Sequence, residues 1–146
     1  MKKLIFAAFI GIATLSCEKK ISTFSENESH NHGQNCMNCH KAGGESGNEG
    51  RFKIAGSVFD STKTVPYAGA VVNLYSGPSG SGELVRKLEV DQIGNFYTTK
   101  KVKLKKGIYP AVVGANGVET FMSFSVTTGS CNSCHGVSTD RLWVAE

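Results

Sequence analysis

The chain has 146 residues, with 16 Lys and Arg against 12 Asp and Glu, four histidines, five cysteines, 40% hydrophobic and 9% aromatic residues. That is enough for one modest core, so a single globular domain is the economical count. The formal charge of +4 falls to about +2 when Lys2 and Lys3 at the start are set aside, so the strong basic field of a nucleic-acid binder is missing.

At the N-terminus, Lys2 and Lys3 precede an apolar stretch from Leu4 to Leu15, and small Ser16 stands directly before Cys17. A run this short, followed by Glu18, Lys19 and Lys20, predicts an export signal over residues 1–16 and not a membrane span. Ser16-Cys17 resembles a bacterial lipoprotein signal, with Thr14 where that family usually carries Leu. The resemblance implies that Cys17 is the acylated first residue of the mature chain. A lipid would then hold the protein in the bacterial cell envelope, on the periplasmic or outer-membrane surface. An ordinary secretory signal would instead leave Cys17 as a stray thiol in an oxidising compartment.

Residues 17–35 are Ser, Asn, Glu, His and Gly with almost no apolar side chains, which predicts a polar tether. It carries His30 and His32, half of the chain's histidines. Directly after it stands Cys36-Met37-Asn38-Cys39-His40, and the same Cys-x-x-Cys-His pattern returns as Cys131-Asn132-Ser133-Cys134-His135. Each copy predicts covalent attachment of a haem c. Two thiols three residues apart on one turn each reach a haem vinyl group, and the next residue, His40 or His135, turns its imidazole to the iron as proximal ligand. The segment 36–50 ends in a Gly-rich linker with Gly43, Gly44, Gly47 and Gly50.

From residue 51 to 128 short runs of β-branched and aromatic residues are separated by Gly, Pro, Asn and Asp clusters, the pattern of strands. Phe52, Ile54 and Val58 alternate with small or polar residues, as a half-buried strand requires. Further strands are expected over 70–75, around Leu84, Leu88 and Val90 on one face, and over 95–100, 102–104, 108–113 and 120–127. Turns are expected at 77–82, 105–107 and 114–117. Short strands at this spacing predict an all-β, antiparallel sandwich flanked by the two haem-binding segments, the second at 129–146. If the first and last strands lie antiparallel or in facing sheets, both motifs meet at one pole.

Four groups of residues carry a family resemblance: Gly56-Ser57-Val58, the run from Pro66 to Leu74, Asp91-Gln92-Ile93-Gly94-Asn95-Phe96, and Gly107-Ile108-Tyr109. In these the segment resembles the transthyretin-like or carboxypeptidase-regulatory-like β-sandwich, a fold in the Ig-like class. The resemblance covers about half the chain and implies a spacer or binding platform, not a chemistry.

With Cys17 lipidated and Cys36, Cys39, Cys131 and Cys134 on haem, no thiol remains for a disulfide. Two six-coordinate irons with bis-histidine ligation need four imidazoles, and the chain has four, so His30 and His32 are the candidate distal ligands. Met37 lies between two cysteines and points poorly for ligation, and Met122 falls in an expected strand where it packs in the core. Bis-histidine ligation lacks a potential-raising Met, so low reduction potentials are expected. A zinc site would leave the histidine after each pair unexplained, and a thioredoxin-like role needs a βαβ context.

Lys101, Lys103 and Lys105 would share one strand face, either as a docking patch for an acidic redox partner or as protection of an edge strand. Trp143 packs on the second porphyrin or closes the core with Leu142 and Val144.

These readings converge on a lipid-anchored dihaem c-type cytochrome, with two covalently bound haem c. It would pass electrons between redox partner proteins such as other cytochromes or reductases, without bond chemistry of its own. Haem stacking between copies offers a route to homo-oligomers. The alternatives are a small peroxidase or reductase with one open iron, and a surface binding or sensor module with structural haem.

Overall fold

A computed structural model describes residues 29–44 and 50–145. The expected signal, Cys17 with its expected acylation, most of the expected tether and part of the Gly-rich linker lie outside the described residues. The fold is all-β, and among the described residues helical structure is limited to single 3-10 turns. Among the described residues no helix is long and apolar enough to cross a membrane.

Among the described residues, seven strands form two sheets. Strand β1 (Ile54–Phe59) pairs antiparallel with β4 (Asn95–Thr98) on one side and parallel with β7 (Leu142–Trp143) on the other. The larger sheet has the order β3-β2-β5-β6, all antiparallel, from β2 (Val71–Tyr75), β3 (Leu84–Glu89), β5 (Tyr109–Val113) and β6 (Glu119–Phe121). One apolar core joins them: Ile54, Val58 and Phe96 from the smaller sheet meet Val72, Leu74, Leu88 and Val112 from the larger. Val144, fully buried just past β7, belongs to the same core.

Strand β2 keeps the alternation of a one-sided strand, with Val72 and Leu74 buried between half-buried neighbours. Strand β1 does not. All six of its residues are buried, so both faces are covered, one by the core and the other by chain that precedes the strand. Small Ala55 and Ser57 on the second face leave space for that covering layer, which apolar alternation does not reveal.

Three expectations are corrected. Residues 102–104 form no strand: Lys103 begins a 3-10 turn, Leu104–Lys106, closed by Gly107 N–H donating to the Leu104 carbonyl at 2.8 Å. Val102 and Leu104 still pack on the core, so their spacing reports burial and not extended backbone, and Lys101, Lys103 and Lys105 share no strand face. Leu84 does not join Leu88 and Val90 inside. A register shift beside Tyr75 leaves it 49% exposed at the strand end. Strand β6 stops at Phe121, leaving Met122 beyond it and only half-buried; its N–H still donates to the Pro110 carbonyl at 2.9 Å.

Candidate functional site

The two Cys-x-x-Cys-His segments fold alike. Cys36–Asn38 and Cys131–Ser133 are each one 3-10 turn. In each, the carbonyl of the first cysteine accepts from the N–H of the second cysteine at 3.3 Å and from the histidine N–H, at 2.9 Å for His40 and 3.1 Å for His135. The turn brings the second thiol back beside the first and carries the histidine round to the same end. Residues Asn35 and Ser130, types that favour helix N-caps, begin the turns. The Asn35 Oδ1 accepts the Met37 N–H at 3.1 Å.

The rings are fixed alike as well. His40 Nδ1 lies 3.0 Å from the Gly50 carbonyl and His135 Nδ1 lies 2.9 Å from the Asp140 carbonyl. A carbonyl only accepts, so Nδ1 carries the proton in both rings and Nε2 keeps its lone pair when the ring is neutral. A backbone carbonyl on the far nitrogen is the usual way a protein orients a metal-binding imidazole. His40 is also stacked on Phe52, centroids 4.1 Å apart and planes within 7°, and Phe52 on Tyr97 at 4.3 Å.

Both turns pack on β1. The second is an insertion in the sheet: Gly129 and Ser130 run parallel to Ala55, with Ala55 N–H donating to the Gly129 carbonyl at 2.9 Å, and the pairing resumes at Leu142 beside Val58. Residues 131–141 bulge out between these points. The N–H of Ser57, stranded opposite the bulge, donates to the Asn132 Oδ1 at 2.9 Å, and Asn132 is itself buried. Glycine is required on both sides of this contact. A Cβ on Gly56 would stand 2.8 Å from the Cys131 Cβ, and one on Gly129 would stand 2.8 Å from the Ile54 Cα.

The first turn lies next to the second. The Ser130 hydroxyl donates to the Asn35 Oδ1 at 2.7 Å, joining the residues that begin the two turns, 95 positions apart in sequence. The motifs therefore meet, but along the flank of β1. Burial raises the pKa of the Cys36 thiol. Burial, with the neighbouring Cys36 sulfur adding to it, pushes Cys131 up to about 12.

His30 and His32 precede the first turn and diverge. The His30 ring lies 5.8 Å from that of His40, and the His32 ring meets Phe59 edge-on at 6.2 Å. Met37 sits half-buried within the first turn. Trp143 pairs with Phe59 in the sheet and has the Lys63 ammonium 5.4 Å from its ring centroid, while Leu142 and Val144 pack on the core.

Sequence reasoning missed Asn35, Ser130, Asn132, Gly50 and Asp140. A capping residue directly before each motif was a visible signal for the first two. Asn132 is an unremarkable x position of its motif, and Gly50 and Asp140 act through main-chain carbonyls, for which side-chain identity is no guide. Among the described residues, no three of His, Cys, Asp and Glu gather as a cage for a bare metal ion. No protein-family model, no curated protein and no solved structure matches the chain.

Proposed function

We propose that the chain is a dihaem c-type cytochrome that carries electrons. The observation that carries this is the duplicated turn in which a backbone carbonyl holds the motif histidine through Nδ1. Paired thiols beside an imidazole with Nε2 as its electron-pair donor suit haem c and explain why a histidine follows both cysteine pairs.

Cys36 and Cys39 would hold one haem and Cys131 and Cys134 the other. Each thiol would add across a vinyl group, its hydrogen going to one vinyl carbon and its sulfur to the other as a thioether, which calls for no oxidant. His40 and His135 would bind the irons. When bound, each haem supplies an iron that cycles between ferrous and ferric states and so accepts and passes on one electron. The chain's part is to fix the imidazoles, through Gly50 and Asp140, and to keep the motifs adjacent through Ser130 and Asn35.

Two sheets around one core support an Ig-like, transthyretin-like sandwich as the scaffold. A lipid on Cys17 would anchor the protein in the bacterial envelope, where other cytochromes or reductases would be its redox partners.

The test is expression in a host that attaches haem c, followed by intact mass and the absorption spectrum in alkaline pyridine. Two covalent haems are expected, and one after replacing Cys36 and Cys39 by Ala. A protein that leaves such a host without covalent haem would overturn the proposal. Carbon monoxide separates carrier from enzyme: a carrier with both irons six-coordinate keeps its spectrum, and an open iron changes it.

A further inference from the structure

Which histidine completes which iron rests on the dihaem reading above, and the fold discriminates between the two. His30 and His32 are separated by one residue, Asn31, whose φ is +52°. Left-handed backbone at a residue other than Gly is uncommon, and Asn is among the few that tolerate it. This sharp local turn makes His30 and His32 neighbours of different groups.

The turn is held from below by a buried polar strut. The Ser57 hydroxyl donates to the Asn95 Oδ1 at 2.6 Å and accepts from the Gly33 N–H at 2.8 Å. The Asn95 side-chain amide donates to the His30 carbonyl at 2.9 Å and to the Ser29 hydroxyl at 3.1 Å. Ser57 and Asn95 are buried in β1 and β4, and the Asp91 Oδ1 holds the Asn95 N–H at 2.8 Å. The chain is thus clamped on both sides of Asn31 by the rigid sheet, with His32 between the left-handed Asn31 and Gly33.

His30 projects toward the first motif. Its centroid is 5.8 Å from that of His40, with the planes inclined by 34°. Two imidazoles this close could both serve one iron. The Gly50 carbonyl occupies the Nδ1 edge of His40, which leaves Nε2 for the iron.

His32 projects the other way, to Phe59 at the far end of β1. The opposite claim on Phe59 comes from the second motif's loop: the Arg141 guanidinium lies 4.6 Å from the ring centroid, and Arg141 follows Asp140, whose carbonyl fixes His135. His32 is therefore one aromatic ring away from the loop that presents His135.

We infer that the left-handed turn at Asn31, clamped by Ser57 and Asn95, delivers His30 to the iron of the first motif and His32 to the iron of the second. Ser57 and Asn95 are positioning residues for both sites. Because the Ser57 N–H also holds Asn132, one buried cluster sets the ligands of two haems.

The experiment places H30A and H32A in two backgrounds, the full dihaem protein and a protein with Cys36 and Cys39 replaced by Ala, which keeps only the second haem. Covalent haem is counted by mass, and spin state is read by absorption and electron paramagnetic resonance, with carbon monoxide as probe. In the dihaem protein each variant should convert one of the two haems to a high-spin form that binds carbon monoxide. In the single-haem protein H32A should convert the remaining haem and H30A should leave it low-spin. N95A should raise the high-spin fraction at both sites while both haems stay attached, and added imidazole should restore the low-spin spectrum. Conversion of the second haem by H30A and not by H32A would show the crossed assignment and overturn the inference, as would low-spin spectra in both variants. Absence of covalent haem from the unmodified protein would instead overturn the dihaem reading itself.

Discussion

The two Cys-x-x-Cys-His segments have nearly the same local structure and very different surroundings. The second is spliced into the smaller sheet, with Gly129 bonded to β1 before it, β7 after it, Asn132 buried and Cys131 packed on the core. The first lies over β1, held by side chains and loops: Asn35 on Ser130, Gly33 on Ser57, and His40 on Phe52. A Cys-x-x-Cys-His segment of this kind needs only its turn and a carbonyl for its histidine. Whether it belongs to the core is decided by the chain on either side. The second segment is thus part of the sheet, and the first is held against it.

Thiol chemistry gives the largest expected contrast. With its pKa near 12 against an ordinary 9.0, Cys131 in the folded, haem-free protein holds about a thousandfold less thiolate at pH 8 than in the unfolded chain. Its alkylation, followed by peptide mass, should accelerate by about that factor on denaturation. Equal labelling in both states would break the contrast. The sign for stability follows. A folded pKa above the unfolded one means that the stabilisation is present below pH 9 and is lost as pH rises towards 12. Denaturant midpoints should therefore fall from pH 9 upward, and Cys131→Ala should remove the share of that fall that Cys131 contributes, leaving that of Cys36.

Glycine replacement comes next. Gly129→Ala puts a methyl group into the β1 backbone beside Lys53 and Ile54 and should cost about 3 kcal/mol in urea unfolding. Gly43→Ala, in the first segment, meets no atom within 4 Å and carries only the strain of φ +72°, about 1 kcal/mol. Equal losses would mean that the first segment is as integral to the fold as the second. Asn132→Ala strands the buried N–H of Ser57 and should cost about 2 kcal/mol. A loss under about 0.5 kcal/mol would mean that the hydrogen bond does not hold the inserted loop to β1.

The places of β2, β4 and β5 were legible, since they fall close to the runs that β-branched and apolar residues mark out, but only β2 keeps one buried face. β1 was legible in place and not in character. Alternation at Phe52, Ile54 and Val58 predicts a half-buried strand, but a second covering layer buries Ala55 and Ser57 too, and nothing local to the strand encodes that layer. β7 escaped notice because two residues are too few for a period, and it exists only through its pairing with β1. At the site, the motifs themselves were plain. The divergence of His30 from His32 depends on a backbone angle at Asn31 and on two buried polar side chains from distant strands, a long-range arrangement that spacing cannot carry.

The smallest effect tests whether the two motifs act as one unit. Asn35 Oδ1 receives both the Met37 N–H of its own turn and the Ser130 hydroxyl of the other. Asn35→Ala removes a cap and should cost about 1 kcal/mol. Ser130→Ala removes only the link and should cost less. Distant, independent sites add within about 0.5 kcal/mol, so a coupling energy near 1 kcal/mol in the double-mutant cycle marks a direct bond. Measured on the polypeptide alone, that coupling would mean that the chain itself brings the two Cys-x-x-Cys-His turns together. A strictly additive cycle would mean that each turn keeps its place through its own contacts with β1, and the pairing of the motifs would then be a consequence of the strand they share.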